Sequence, residues 1–235
     1  RFFHEKEKLQ ERRSVKKAAE NLKACYTEYN EKNYRWIEDD DYRKDTFETE
    51  NVSLLFNPIH TRAKESVVWY QLGELMKKAK ERVVIHTPYI ICNDMRYDTW
   101  SEIAANNGNP FGSADYDKNR EKILNTGVDI WEYEGGHSYH GKSILIDDDI
   151  SVVGSFNMDM RSAYLDTEIM LVVKSKEVNK QLAANMKKYE MESRQIKSDG
   201  TYENPYQVKP VELTEKKRKN MTFIQKYLGW SRFLF

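Results

Sequence analysis

His140-Gly141-Lys142-Ser143-Ile144-Leu145-Ile146-Asp147 runs through Asp148 and Asp149 into Ile150-Ser151-Val152-Val153-Gly154-Ser155-Phe156-Asn157. Two short apolar runs flank an acidic cluster, which predicts a hairpin of strands over Ser143 to Ile146 and Ile150 to Val153. His140 and Lys142 are two residues apart where the first strand starts, so their side chains leave the same face. Ser155 and Asn157 repeat that spacing where the second strand ends, and the hairpin would set their hydroxyl and amide beside the His-Lys pair. An imidazole, an ammonium and two neutral hydrogen-bonding groups around one point suit in-line attack on phosphorus, one group reacting while the others hold non-bridging oxygens. The set needs no metal and no cofactor. A lone histidine at a strand start is ordinarily a satisfied surface or core residue; Lys142, Ser155 and Asn157 in register set His140 apart.

Outward from the hairpin the chain has α/β rhythm. Val52 to Phe56 and Val83 to His86 read as strands around a helix over Glu65 to Lys80. Pro88 stops the second of these strands, and a long Asn- and Gly-bearing stretch follows through Gly112. Ala114 to Leu124 reads as helix, Val128 to Tyr133 and Ile169 to Val173 as strands, and Lys176 to Tyr189 as helix. The polar sequence after it, with Gly200, Pro205 and Pro210, reads as a loose linker. From His4 to about Cys25, Leu9, Val15, Ala19, Leu22 and Cys25 share one face of an exposed helix or arm. Asp39, Asp40 and Asp41 with Arg43 and Lys44 read as a solvated link, since no histidine accompanies them as a metal ligand. The expected division is therefore an arm over 1–50, a catalytic half-domain over 51–196, and a linker with a C-terminal amphipathic helix over 197–235.

Lysine plus arginine and aspartate plus glutamate both number 38 in the 235 residues, so global charge gives no reason to expect a nucleic-acid partner. Cys25 and Cys92 form neither a disulfide nor a metal pattern and read as buried or idle thiols. The sequence starts at Arg1 and holds no apolar run near 18 residues, so a segment cut from a longer protein, with no spanning helix in it, is expected.

The spacing His140-x-Lys142, four residues, Asp147, six residues, Gly154-Ser155-x-Asn157 resembles the signature of the phospholipase D superfamily at every named position. Such a match arises by chance on the order of a few times in a million chains of this length. Gly154 to Ser162 followed by Leu165-Asp166-Thr167-Glu168 resembles the second motif of bacterial cardiolipin synthases and their relatives, with Asp166 where an Asn is common. His86-Thr87-Pro88-Tyr89 resembles their Thr-Pro-Tyr stretch, and Asn125 to Ile130 their lead-in to the motif, so the resemblance covers roughly 51–189. It implies a phospholipase D-like mixed sheet flanked by helices. It also implies that His140 forms a phosphohistidine or protonates the leaving oxygen, that Lys142 and Asn157 bind phosphate together with Ser155, and that Glu168 orients the histidine. A carboxylate on the far ring nitrogen would fix the tautomer and support imidazolium. Asp147 and Gly154 are assigned structural roles, Asp147 as a bond to the hairpin backbone. Tyr89 reads as a core or rim aromatic or a substrate contact, His86 and His137 as structural or rim residues, and His60 and His4 carry no assignment.

These enzymes carry two motifs whose histidines share one site, yet no second His-x-Lys with a following Asp occurs here. A partner half upstream of Arg1, or a second copy of the chain, is expected to complete the site. The tail joins Lys216-Lys217-Arg218-Lys219 to Met221, Phe223, Ile224, Tyr227, Leu228, Trp230, Phe233 and Leu234, a pattern suited to an anionic membrane surface, the alternative being a helix packed on its own domain or on the missing half. The expected function is phosphodiester transfer or hydrolysis on glycerophospholipids at the bacterial cytoplasmic membrane. The alternatives are a nuclease of the same superfamily and a non-catalytic lipid-binding half-domain; the intact His140, Lys142, Asn157 and Glu168 set argues against the last.

Overall fold

The computed structural model describes residues 13–39, 46–60, 63–91 and 110–228. The chain divides into two units, Arg1–Thr46 and Phe47–Phe235. In the first, helix α1 (Arg13–Asp39) carries exposed Leu22 and Tyr26. It continues past Cys25, the last residue of the helical face read from the sequence, and of the two readings for that thiol, buried or idle, Cys25 is the exposed free one. Asp39 ends the helix; Asp40, Asp41, Arg43, Lys44, Cys92 and His4 lie outside the described residues.

The second unit is built on two sheets. Strands β1 (Asn51–Phe56), β2 (Val83–His86), β4 (Ser143–Ile146), β5 (Ile150–Gly154) and β6 (Ile169–Lys174) form the larger, in the order β1-β6-β5-β4-β2. The smaller consists of β3 (Ile130–Tyr133), β7 (Ser193–Ile196) and β8 (Tyr202–Glu203). The α/β class and the helix-flanked sheet expected from the sequence are found. Every strand pairing is antiparallel among the described residues, and the parallel contact between Ile90 and Met158 is an isolated bridge.

Helix α2 (Val67–Met76) buries Val68, Leu72 and Met76, spaced four apart on one stripe, together with Trp69. That stripe packs in one core with Ile85, Ile144, Ile146, Val152 and Met170. Register puts these strand residues on a single sheet face, because directly paired residues point the same way. Helix α3 (Pro110–Leu124) adds Ile123 and Leu124 to the core, the short α4 (Met160–Tyr164) adds Ala163, and α5 (Lys176–Glu190) donates from Asn179 Nδ2 to the Ile150 carbonyl at 2.8 Å.

On the opposite sheet face Val52, Leu54 and Phe56 of β1 share a side with Leu171 and Ile169 of β6 and Val153 of β5. All six are exposed, from 36% at Leu171 to 55% at Phe56. β1 is also an edge strand, so among the described residues its outer backbone groups pair with no strand of this sheet.

Two regions depart from the sequence reading. The polar stretch after α5, expected as a loose linker, contains β7 and β8. Ser193-Arg194-Gln195-Ile196 lacks apolar alternation because its pairing with β3 is supported by polar groups: Gln195 Nε2 donates to Asp129 at 3.0 Å and Arg194 Nε to Glu134 at 2.9 Å. The tail, read as a separate membrane-facing element or as a helix packed on its own domain, is docked over its described part, with Trp230, Phe233 and Leu234 outside the described residues. Helix α6 (Glu215–Phe223) is capped by Thr214, runs into a π-helical turn over Ile224–Leu228, and buries Met221. Gln225 Nε2 bonds the Ala114 carbonyl and the Asp117 carboxylate of α3, both at 3.0 Å.

Candidate active site

His140 lies near the end of a segment, 134–142, that has neither helix nor strand, and Lys142 leads directly into β4. The Gly154 amide donates to the Lys142 carbonyl at 3.2 Å, which joins the two halves of the signature across the hairpin. Beyond Gly154, Phe156 is buried with its ring 5.8 Å from that of Trp69. With Phe156 pinned into the core, Ser155 and Asn157 on either side of it are turned away from that core.

The Lys142 ammonium lies 2.7 Å from His140 Nδ1 and 2.9 Å from the His140 carbonyl. Burial first, and the Lys142 charge second, hold the His140 ring below its ordinary pKa. Burial also lowers Lys142, against the opposing charges of Glu168 and Asp159. The Tyr89 ring stands edge-on to His140 with centroids 6.1 Å apart.

Glu168 is buried behind this pair. Its Oε2 accepts from the Ser155 hydroxyl and its Oε1 from the Ser162 hydroxyl, the latter at 2.8 Å. The expectation that Glu168 bonds the His140 ring is not met in this conformation: hydroxyls occupy both carboxylate oxygens, and the His140 ring nitrogens bond only Lys142 among the described residues. Burial raises the Glu168 pKa, opposed by those two hydroxyl bonds.

Ser162, which received no role from the sequence, also accepts from the Asn157 amide at 3.3 Å and links Asn157 to Glu168. Its backbone amide donates to Asp159 at 2.6 Å, the N-cap of α4. The Asp159-x-Arg161-Ser162 run could have signalled this, since a capping aspartate three residues before a serine fixes where that hydroxyl falls. The Asn157 side-chain oxygen is buried without a hydrogen-bond partner.

Asp147 and Gly154 shape the hairpin in different ways. Asp147 has φ of 50°, a left-handed conformation that aspartate tolerates. Its carboxylate was expected to bond the hairpin's own backbone; it accepts instead from the amides of Lys80, Glu81 and Arg82, at 2.8 to 3.1 Å, between α2 and β2. Those amides are free for it because α2 ends at Met76, short of the helix end expected at Lys80. They hold the Asp147 carboxyl below its ordinary pKa. A depressed folded pKa contributes stability that is present above the unfolded value of 3.8 and is lost as pH falls through the folded one. Asp147→Asn is therefore expected to lower the melting temperature at neutral pH while leaving the left-handed turn intact. The gap from wild type should close in acid; a gap independent of pH would remove the carboxylate from the account.

Among the other histidines, His86 bonds Tyr139, His137 and His60 are exposed, and none joins the His140-Lys142 pair. Among the described residues no cluster of His, Cys, Asp and Glu could hold a metal ion, and no helix is long and apolar enough to cross a membrane.

Residues 72–189, half of the chain, match the family described as cardiolipin synthase, PLD-like domain. Cardiolipin synthase 1 of Staphylococcus epidermidis is 29% identical over 152 residues, covering 60% of this chain and 31% of that protein. Cardiolipin synthase A of Wigglesworthia glossinidia brevipalpis is 48% identical over 61 residues, covering 26% of this chain and 12% of that protein. The chain thus spans about a third or less of these curated relatives. Among solved structures, Nuc of Salmonella typhimurium, a phospholipase D family member, superposes with a TM-score of 0.52 at 14% identity, covering 63% of this chain and 98% of that one. Phosphatidylserine synthase of Haemophilus influenzae superposes at 0.50 with 18% identity, covering 78% and 48%. At these identities the two structures bear on the fold, and the match over 72–189 settles the kinship: the chain belongs to the family of cardiolipin synthase PLD-like domains.

Proposed function

We propose that this chain is one half of an enzyme that transfers or hydrolyses glycerophospholipid phosphodiesters through a phosphohistidine at His140. The observation that carries this is the His140-Lys142 pair beside the hydroxyl-held Glu168. Burial and the Lys142 charge bias the His140 ring toward its neutral form, which has a lone pair to give and favours His140 as nucleophile over acid. Lys142 turns from His140 Nδ1 to a non-bridging oxygen of the incoming phosphate. Asn157 takes part in binding by donating from its side-chain NH2 group to a phosphate oxygen. Ser155 serves beside it, and Glu168 acts through Ser155 and Ser162 and through the positive charge it sustains on Lys142.

The imidazole nitrogen attacks phosphorus and the bond to the leaving alcohol breaks, the departing oxygen taking a proton from a second histidine. That histidine then removes a proton from the acceptor alcohol or water. The acceptor oxygen displaces the imidazole, and His140 is regenerated. The second histidine belongs to a companion half of the same kind, from elsewhere in the polypeptide or from a second copy. The exposed row Val52, Leu54, Phe56, Val153, Ile169 and Leu171 supports a companion, because contiguous apolar surface of this kind marks an interface.

The lipid reading also draws on the tail, where Lys216, Arg218, Lys219, Phe223 and Tyr227 stay exposed while Met221 is docked. Cations and aromatics on that outer side suit the anionic surface of the bacterial cytoplasmic membrane. The test is the protein with its companion half, given phosphatidylglycerol in vesicles and, separately, single-stranded DNA. Phosphatidyl transfer or phosphatidate release with intact DNA is expected. DNA cleavage with inert lipid would replace the lipid reading by the nuclease one. A second arm replaces Lys216, Arg218 and Lys219 by Gln, which leaves Met221 docked; turnover on anionic vesicles should fall while a soluble short-chain phosphodiester is processed as before. Equal turnover by this variant on vesicles would remove the tail from the membrane contact.

A further inference from the structure

We propose that His86 and Tyr139 are positioning residues that together hold the loop carrying His140 in its reactive placement. The segment 134–142 lacks the backbone ladder of a helix or strand and includes Gly135, Gly136 and Gly141. Something else must fix its last residues, because glycines add backbone freedom. Tyr139, next to His140, has its hydroxyl 2.9 Å from His86 Nδ1, and the two rings meet edge-on, 5.4 Å apart at 87°. The Tyr189 ring lies 4.4 Å from that of Tyr139, and Tyr133 closes another side at 5.8 Å. Gly141 leaves room for this packing, since a Cβ there would overlap the Tyr139 ring.

His86 holds the His140-x-Lys142 half of the signature on both sides. Its backbone is in register with Ser143 on β4, and its side chain holds Tyr139. His140, Gly141 and Lys142 are thus suspended between two points fixed to one residue of β2. Burial lowers the His86 pKa to about 4 and raises that of Tyr139 to about 12. The contact therefore joins a neutral phenol and a neutral imidazole, the ring tautomer setting which of them donates, with no charge to disturb the adjacent His140-Lys142 pair. A half-buried polar pair of this sort fixes a geometry that apolar packing alone would leave loose.

This inference rests on the phosphodiester reading for its purpose, and its test separates the two. In histidine-labelled chain, the His140 ring signal is followed by NMR with and without inorganic phosphate in wild type, Tyr139→Phe, His86→Leu and His86→Gln. Tyr139→Phe and His86→Leu should broaden the His140 signal even without phosphate. They should also weaken phosphate binding about tenfold, the consequence of losing one hydrogen bond's worth of preorganisation. His86→Gln keeps an acceptor and should restore both. A sharp His140 signal and unchanged affinity in Tyr139→Phe and His86→Leu would overturn the proposal, as would losses that follow melting temperature and are not rescued by Gln. A wild-type His140 that ignores phosphate would defeat the functional reading, while the line widths would still decide the positioning role.

Discussion

His140→Ala in the assembled enzyme is expected to lower turnover on phosphatidylglycerol by at least about 100-fold, a floor set by the loss of a general acid or base that the loss of the attacking nucleophile itself should exceed. The melting temperature should stay near that of wild type. His140 is exposed, and among the described residues its ring contacts are the Lys142 ammonium and the Tyr89 ring, so its removal opens no core cavity. Asp147→Asn is the contrasting variant, since its carboxylate ties the hairpin to three amides between α2 and β2 and touches nothing in the site. Its activity should fall only as far as its stability does. Equal activity loss in the two variants at unchanged melting temperature would refute this division of roles, and full activity in His140→Ala would refute the mechanism.

The hairpin was legible because its signals are local. Two apolar runs, an acidic turn and residues at alternating spacing need no long-range information, and the strands fall within a residue of where the sequence puts them. Phe156 shows why the spacing worked: its burial against Trp69 forces its neighbours outward. What stayed hidden depended on distant partners. Nothing in Ser193-Arg194-Gln195-Ile196 announces a strand until Glu134 and Asp129 are beside it. The docking of α6 depends on an acceptor pair 108 and 111 residues away in α3. Likewise Glu168 has an imidazole and two hydroxyls within plausible reach by sequence, and only the placement of α4, which delivers Ser162, decides among them.

Gly154→Ala should be the most destabilising small change in the hairpin. Gly154 has no left-handed φ, so the demand for glycine is one of space. A Cβ at this position would run into the Ile169 carbonyl oxygen and the Met170 Cα at 2.8 Å, both parts of the neighbouring strand's backbone. A flexible side chain could swing aside, but β6 can move only by weakening its pairing with β5 and β1, which lie on either side of it. Overpacking of this kind costs about 1–3 kcal/mol where side chains absorb it, and backbone on the receiving end argues for the upper part of that range. In a domain of this size about 3 kcal/mol lowers the melting temperature by roughly 6–12 °C. The damage should extend to the site, because Ser155 follows directly and receives the Ile169 amide at 3.0 Å while its own amide donates to the Ile169 carbonyl at 2.9 Å. Pushing β6 away therefore pulls on the hydroxyl that holds Glu168, so turnover measured well below the melting transition should fall as well. A melting temperature within about a degree of wild type, a shift too small for overpacking, would mean that the strands are not this close in solution.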